Sequence, residues 1–391
     1  MLKHPELNLI QIAAADSSAE AKAAADFVCT GSHDEAVFNH AIELLPRGGN
    51  IRMFDGNYFI DAFPNEGNSA IFFGENNGSA RVINLFGTTE NKGYNTQFGT
   101  ALHVTEHAFE TIPQGSECRV FYGSPVKPPA PGAFYTYTHI NNVNFENFQL
   151  YFPDASRPIT GIDGSCFGSM ELKLLGIYTE RYFRDRFLHE KPATPQPGCV
   201  GVRSVPTSND EMARIGYDTV NVGGLYLGFQ LNRVDHLVMK TCTAARCCYG
   251  YDFRGGPKTL TMINCCDEGN THLPHFSGRG HLTCIDYNIE RFNADFIPDD
   301  PLDDGRRGAT EDTPGEWHGF ISFTLQGKAF SLNNFWEKGS GNNIKTVNLD
   351  HDRDRRPEFP EYLETFFDRE TGKTLTFNGS CWVDAMGNSQ P

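Results

Sequence analysis

The sequence predicts an all-β chain wound as a parallel β-solenoid, and three observations predict it. The first is a repeat: "HLVMKTC" begins at His236, "TLTMINC" at Thr259 and "HLTCIDY" at His281, in steps of 23 and 22 residues. Aligned, Leu237, Leu260 and Leu282 share one position, Met239, Met262 and Cys284 a second, and Cys242, Cys265 and Tyr287 a third. A coil of this length that advances one strand spacing per turn stacks its inward side chains on their equivalents in the next coil, burying one continuous core. The second is composition. The 391 residues include 39 Gly and 31 Phe as well as many Asn. Gly and Asn serve positions of positive φ, and Phe favours strands. The third is a run of strand–turn–strand segments over residues 139–152, 168–180, 218–237 and 319–349.

The elements follow in chain order. Residues 1–24 read as an N-terminal extension. They have no apolar core behind a basic stretch and so no signal peptide, which places the chain in the cytoplasm as an expectation. "SHDEAVFNHAIELLPRGG" then predicts a helix. Ser32 and Glu35 have the spacing of a capping box, and Val37, Phe38, Ala41, Ile42, Leu44 and Leu45 supply an apolar face. Pro46, Gly48 and Gly49 stop it. Two strands around a turn at Asp55-Gly56-Asn57 complete the opening unit. The β-helix domain is expected over 25–350, with Pro-, Asp- and Arg-rich insertions at 181–217 and 294–317, where repeat folds gather their binding loops. Residues 351–391 break the rhythm and are expected to cap the solenoid or mediate oligomer contact.

The formal net charge is -16, which argues against nucleic acid or an anionic membrane as partner. No segment reaches the length of a transmembrane helix. The eleven cysteines are odd in number and lack C-x-x-C pairs, so free thiols are expected. The adjacent pairs Cys247-Cys248 and Cys265-Cys266 should each place one thiol inside and one outside a strand.

A helix of the form "DEAVFNHAIELLPRGGNIRMFDGNYFI" opening a chain of ~22-residue coils resembles the pectin-lyase-like superfamily. The specific likeness covers residues 25–60, and the repeat-level likeness 140–349. The resemblance implies a right-handed, single-stranded parallel β-helix with an N-terminal capping α-helix. It also implies a carbohydrate substrate: the superfamily includes hydrolases of the polygalacturonase type, polysaccharide lyases, inulin fructotransferases and phage tailspike depolymerases. "NCCDEG" and "GRGHL" only echo the polygalacturonase signatures, and no Arg-Ile-Lys occurs, so no family's catalytic residues carry over.

The candidate chemistry is carboxylate general acid/base catalysis on a glycosidic bond, by hydrolysis or by transfer as in the fructotransferases. Such cleavage needs one carboxyl group that is protonated and one that is ionised. Neighbouring coils lie ~4.8 Å apart, so acids on adjacent coils fall near the separation such a pair requires. Asp235, Asp252, Asp267 and Glu268 are the catalytic candidates, with solvated turn acids as the alternative for each. His272, His275, Arg279 and His281, in or beside the loop "NTHLPHFSGRGHL", are candidate substrate binders. Tyr249, Tyr251 and Trp317 either stack on sugar rings or pack between coils. Glu180, Arg181 and Arg184, in "YTERYFRDRFLHEKP", either form an ion-paired helix or clamp an acidic sugar or a second subunit. The mixture of His and Cys in 264–291 can suggest zinc, but Cys265 and Cys284 take core positions and the expectation is no metal and no cofactor. Two alternatives stay open: a lyase on uronic-acid glycans, which needs Arg or Lys at its centre, and a non-catalytic glycan-binding or phage-fibre protein. A homo-oligomer, a trimer for a fibre, is the expected assembly.

Overall fold

The computed structural model describes residues 8–74, 81–88, 99–124, 142–153, 157–183, 195–205, 214–232, 234–253, 259–270, 275–276, 279–289, 317–326, 330–331, 365–368, 373–378 and 380–389. Strands dominate, in two parallel sheets that the chain visits alternately. In the long sheet, Leu9–Ala13, Gly49–Met53, Val82–Gly87, Asn142–Phe152, Ser169–Thr179 and Arg214–Gly223 stack in turn. Arg214–Gly223 then pairs with two shorter strands, His236–Lys240 and Thr243–Ala245, and these continue into Thr259–Ile263, Cys266–Glu268 and Arg279–Ile289. The short sheet runs Ser69–Phe72, Cys118–Tyr122, Ile159–Asp163, Val200–Ser204, Leu227–Leu231, Tyr249–Phe253 and His275–Phe276. From Gly49–Met53 onward each described coil contributes one pass through each sheet, the pattern of a parallel β-solenoid.

The repeat alignment matches the observed register: Leu237 faces Leu260 and Leu260 faces Leu282, while Met239 faces Met262 and Met262 faces Cys284. The second of these columns extends back through Tyr217, Leu172, Phe145, Leu85 and Ile51 to Ile10. Every member is buried, and burying such a side chain contributes roughly 1.5–3 kcal/mol. The strand Leu9–Ala13 thus makes residues 1–24 more than an extension, since it places Ile10 and Ile12 in the core. It is followed by α1 (Ala19–Ala24), which Ser18 caps by accepting from the Ala21 N–H at 3.1 Å.

The long sheet bends where Asn147, Leu174, Thr219, Thr241 and Asn264 all take left-handed backbone, at φ of 61, 54, 56, 51 and 51°. Asn enters this region readily, whereas the branched Thr enters it at a cost. A second corner column, Gly224, Arg246 and Gly269, is also left-handed and turns the chain out of the long sheet. That corner corrects the expectation for Cys247-Cys248. Neither lies in a strand, and both are buried. Cys265 and Cys266 do split, one buried and one half-exposed, and all eleven cysteines are free thiols.

The helix α2 (Glu35–Glu43) buries Phe38, Ala41 and Ile42, as its apolar face predicts. The capping box does not form. Asp34 is the N-cap residue, and its carboxylate instead accepts the backbone N–H groups of Thr30, Gly31 and Phe59. Glu35 accepts the Asp61 N–H. On the helix surface, the Asn39 amide donates to the Ala70 carbonyl at 2.8 Å and accepts from the Phe72 N–H at 2.9 Å. It thereby occupies the edge of Ser69–Phe72, the terminal strand of the short sheet.

The span 181–217 is not one insertion. It contains the regular strand Val200–Ser204 and the start of Arg214–Gly223. Of 294–317, only Trp317 lies among the described residues; it opens the strand Trp317–Gln326. That strand and Phe330–Ser331 pair antiparallel to Arg279–Ile289 and His275–Phe276, ending the parallel stack. Within 351–391, Thr365–Asp368, Lys373–Phe377 and Trp382–Val383 form an antiparallel three-stranded sheet around Leu375 and Trp382.

Candidate functional site

A second repeat in the sequence builds the most polar described face of the short sheet. "TGID", "VGVR", "LGFQ" and "YGYD" each place a glycine, an apolar residue and a polar residue at equivalent positions of successive strands. The glycines pinch the strands inward. A Cβ on Gly161, Gly201 or Gly228 would stand 2.7, 2.7 or 2.6 Å from the carbonyl oxygen of the next glycine in the column. The apolar residues Ile162, Val202, Phe229 and Tyr251 enter the core. The polar residues Asp163, Arg203, Gln230 and Asp252 form a column facing away from it, and His275 follows Asp252 in register.

At the first end of this column two arginines lie among carboxylates. Arg119 donates from Nε to Asp163 at 2.9 Å, from Nη2 to Glu117 at 2.5 Å and from Nη1 to the Gly67 carbonyl at 2.7 Å. Its guanidinium also stands over the Tyr122 ring at 4.8 Å. Arg203 donates from Nη1 to Glu117 and from Nε to Gln230 Oε1 at 2.9 Å, and its Nη1 lies 3.8 Å from Asp163. Ser165 donates both its N–H and its hydroxyl to Asp163, and the Ser124 hydroxyl lies 2.8 Å from each oxygen of Glu66. Burial works against the charge on Arg119, but Glu117 and Asp163 outweigh it and hold the guanidinium pKa above its usual value. Burial, with Asp163 alongside, pushes the Cys166 thiol up to about 12. Cys166 therefore stays a thiol at neutral pH and is not a nucleophile.

The predicted site residues scatter around this face. Asp252 lies in the column and is 3% exposed. His275 is its backbone register partner on the next strand. Asp267 is not with them. It lies in the strand Cys266–Glu268, at the inward position continued from Leu150, Ile177, Val222 and Ala244, and is fully buried. Its carboxyl accepts from the Asn270 amide and from the Tyr287 hydroxyl at 3.5 Å. Burial raises its pKa to about 8, against the lowering effect of those two bonds. Glu268 points to the opposite side of the same strand and is half-exposed. The adjacent pair Asp267-Glu268 therefore cannot act on one substrate. Asp235 sits in the turn before His236–Lys240 and is half-buried.

Tyr251 is a core residue whose hydroxyl donates to the Cys242 and Cys266 carbonyls at 2.9 Å. Tyr249 is 5% exposed and packs edge-on against Tyr226. Both rings therefore pack between coils and offer no platform to a sugar. Arg181 is 2% exposed and donates to the Arg246 carbonyl at 3.2 Å, while Glu180 is exposed at the start of the short helix Glu180–Phe183. Arg279 and His281 lie in the strand Arg279–Ile289, His281 facing Thr259, and Trp317 pairs with Ile289. His272 and Arg184 lie outside the described residues. The sequence reading missed Glu117, Arg119, Asp163 and Arg203, although the Gly-apolar-polar repeat marks two of them.

Among the described residues no group of three or more His, Cys, Asp or Glu could hold a metal ion, and no helix is long and apolar enough to cross a membrane. No family model, curated protein or solved structure matches the chain. The likeness to the pectin-lyase-like superfamily therefore rests on the sequence pattern.

Proposed function

We propose that the chain is a right-handed, single-stranded parallel β-helix, capped by α2, that cleaves or transfers a glycosidic bond of an oligo- or polysaccharide on the outer face of its short sheet. The observation that carries this reading is the outward column Asp163, Arg203, Gln230 and Asp252, flanked by Glu117 and Arg119. It lines carboxylates, an amide and guanidinium groups along the strand-stacking direction, a spacing suited to the hydroxyls of successive sugar units. In this proposal Asp252 carries proton transfer. Glu117 and Asp163, ion-paired with the arginines, accept hydrogen bonds from sugar hydroxyls. The pairing of α2 with the edge of Ser69–Phe72 through Asn39 supports the cap. The free state of all eleven thiols supports a reducing, cytoplasmic location, and a homo-oligomer, tested as a trimer by light scattering, belongs to the same proposal.

The test is a panel of polysaccharides scored for new reducing ends and for the ultraviolet absorbance of an unsaturated product. Reducing ends from wild type, with a loss of roughly 10²–10⁴-fold in Asp252→Asn, are expected. A wild-type rate in that variant would remove Asp252 from the chemistry, and unsaturated product would turn the assignment to a lyase. One observation favours a second reading, binding without turnover: both Glu117 and Asp163 are tied into ion pairs with Arg119 and Arg203. Saturable glycan binding with no product from any polysaccharide would decide for it.

A further inference from the structure

The hydrogen-bond geometry of the two arginines bears on which glycan the face accepts. We infer, resting on the glycan reading above, that its ligand carries no acid group. A uronate is recognised by a guanidinium that offers two parallel N–H groups to the carboxylate. Arg119 directs Nε, Nη1 and Nη2 to Asp163, the Gly67 carbonyl and Glu117. Arg203 directs Nε to Gln230 and Nη1 to Glu117. The side chains are only 19% and 17% exposed, so a uronate would have to displace Glu117 or Asp163 and leave that carboxylate without its counter-charge. The surrounding charge points the same way. On this described face Glu66, Glu117, Asp163 and Asp252 stand against Arg119 and Arg203, four negative groups to two positive. The whole chain, at -16, repels an anionic polymer at long range as well. An uncharged glycan meets hydroxyl acceptors in Glu117, Asp163 and Gln230 without this repulsion, and an amine-bearing one gains from the surplus negative charge.

The experiment is calorimetric binding of the full chain to oligomers of equal length: uncharged glucan, mannan and fructan, amine-bearing glucosamine, and galacturonate. At least one uncharged or amine-bearing oligomer should bind ten-fold or more tightly than galacturonate. Binding of an uncharged oligomer should hold steady as salt rises, because no ion pair with the ligand is screened. Preference for galacturonate would overturn the inference and leave the glycan reading standing, whereas binding of no oligomer would overturn both. Glu117→Gln supplies a gain-of-function check: with that charge gone, galacturonate binding should strengthen ten-fold or more. Thermal melting of the variant confirms that it is folded, and a folded variant with no gain would also count against the inference.

Discussion

Asp267 shows what a single inward step along a strand does to an acid. Its neighbours in the column are Ala244, Val222, Ile177 and Leu150, all apolar, and burial raises its pKa from 3.8 to about 8. The native state therefore keeps a proton that the unfolded chain releases above the ordinary carboxylate range. The stabilising contribution is fully present below about pH 4 and is lost as pH rises through 8, at up to about 1.4 kcal/mol per pH unit. Asp267→Asn removes that proton linkage while keeping the shape and a hydrogen-bonding amide beside Tyr287 and Asn270. The variant should gain in melting temperature relative to wild type between pH 5 and pH 8, and parallel melting profiles over that range would show that Asp267 is not protonated in the native state. The sequence left this position legible in part. The repeat alignment correctly made Cys265 and Cys284 core residues, but it ended the strand too early. With Asn264 as a left-handed corner, Cys265 points in, Cys266 out, Asp267 in and Glu268 out, and the acid pair is divided between two environments.

At the scale of the element, glycine decides where the strands of the short sheet come closest. A Cβ on Gly250 would meet the Asn270 amide nitrogen at 2.4 Å, and that amide is itself fixed to the Ala244 carbonyl and the Cys247 N–H. Overpacking of this kind typically costs about 1–3 kcal/mol. Gly216, in a long-sheet strand, has only the Glu171 Cγ at 3.8 Å in the path of a Cβ and no positive φ. Gly250→Ala should lower the denaturant midpoint clearly, and Gly216→Ala should leave it unchanged or raise it. Equal effects would mean that the glycine ladder is not a packing constraint. The elements were legible where the signal was periodic: the 22- to 23-residue steps gave the strands and their register. They were hidden where the partner is distant in sequence. The Ser32–Glu35 spacing suggested a local cap, yet Asp34 satisfies the Phe59 N–H, 25 residues away. Likewise the strand Val200–Ser204 was masked by the Pro- and Arg-rich composition around it, although its "VGVR" repeats "TGID". Glu117 and Arg119 had no such marker. They join the site because Cys118–Tyr122 stacks on Ile159–Asp163, a pairing across some 40 residues that includes a long connection without a repeat.

For the whole molecule, charge and architecture pull in different directions. A solenoid brings successive coils to about 4.8 Å along its axis, so like charges at equivalent positions are brought together. The chain answers this locally by alternating sign across coils: Lys173 bonds Glu146 at 2.8 Å, and Arg119 and Arg203 interleave with Glu117 and Asp163. Elsewhere it uses uncharged ladders, with the Asn144 amide donating to Asn84 and Asn84 to Asn50 at 2.9 and 2.8 Å. These devices remove repulsion between nearest neighbours but leave the net charge of -16, and that excess acts over tens of ångströms. Between about 0.01 M and 0.15 M salt the screening length falls from roughly 30 Å to 8 Å. The pairs of Arg119 and Arg203, at contact and mostly shielded from water, change little over that range, whereas long-range self-repulsion is largely removed. Melting temperature at pH 7 should therefore rise with added sodium chloride across this interval. A fall would mean that the short-range pairs along the coils, and not the excess of acid, dominate the electrostatics of the folded chain.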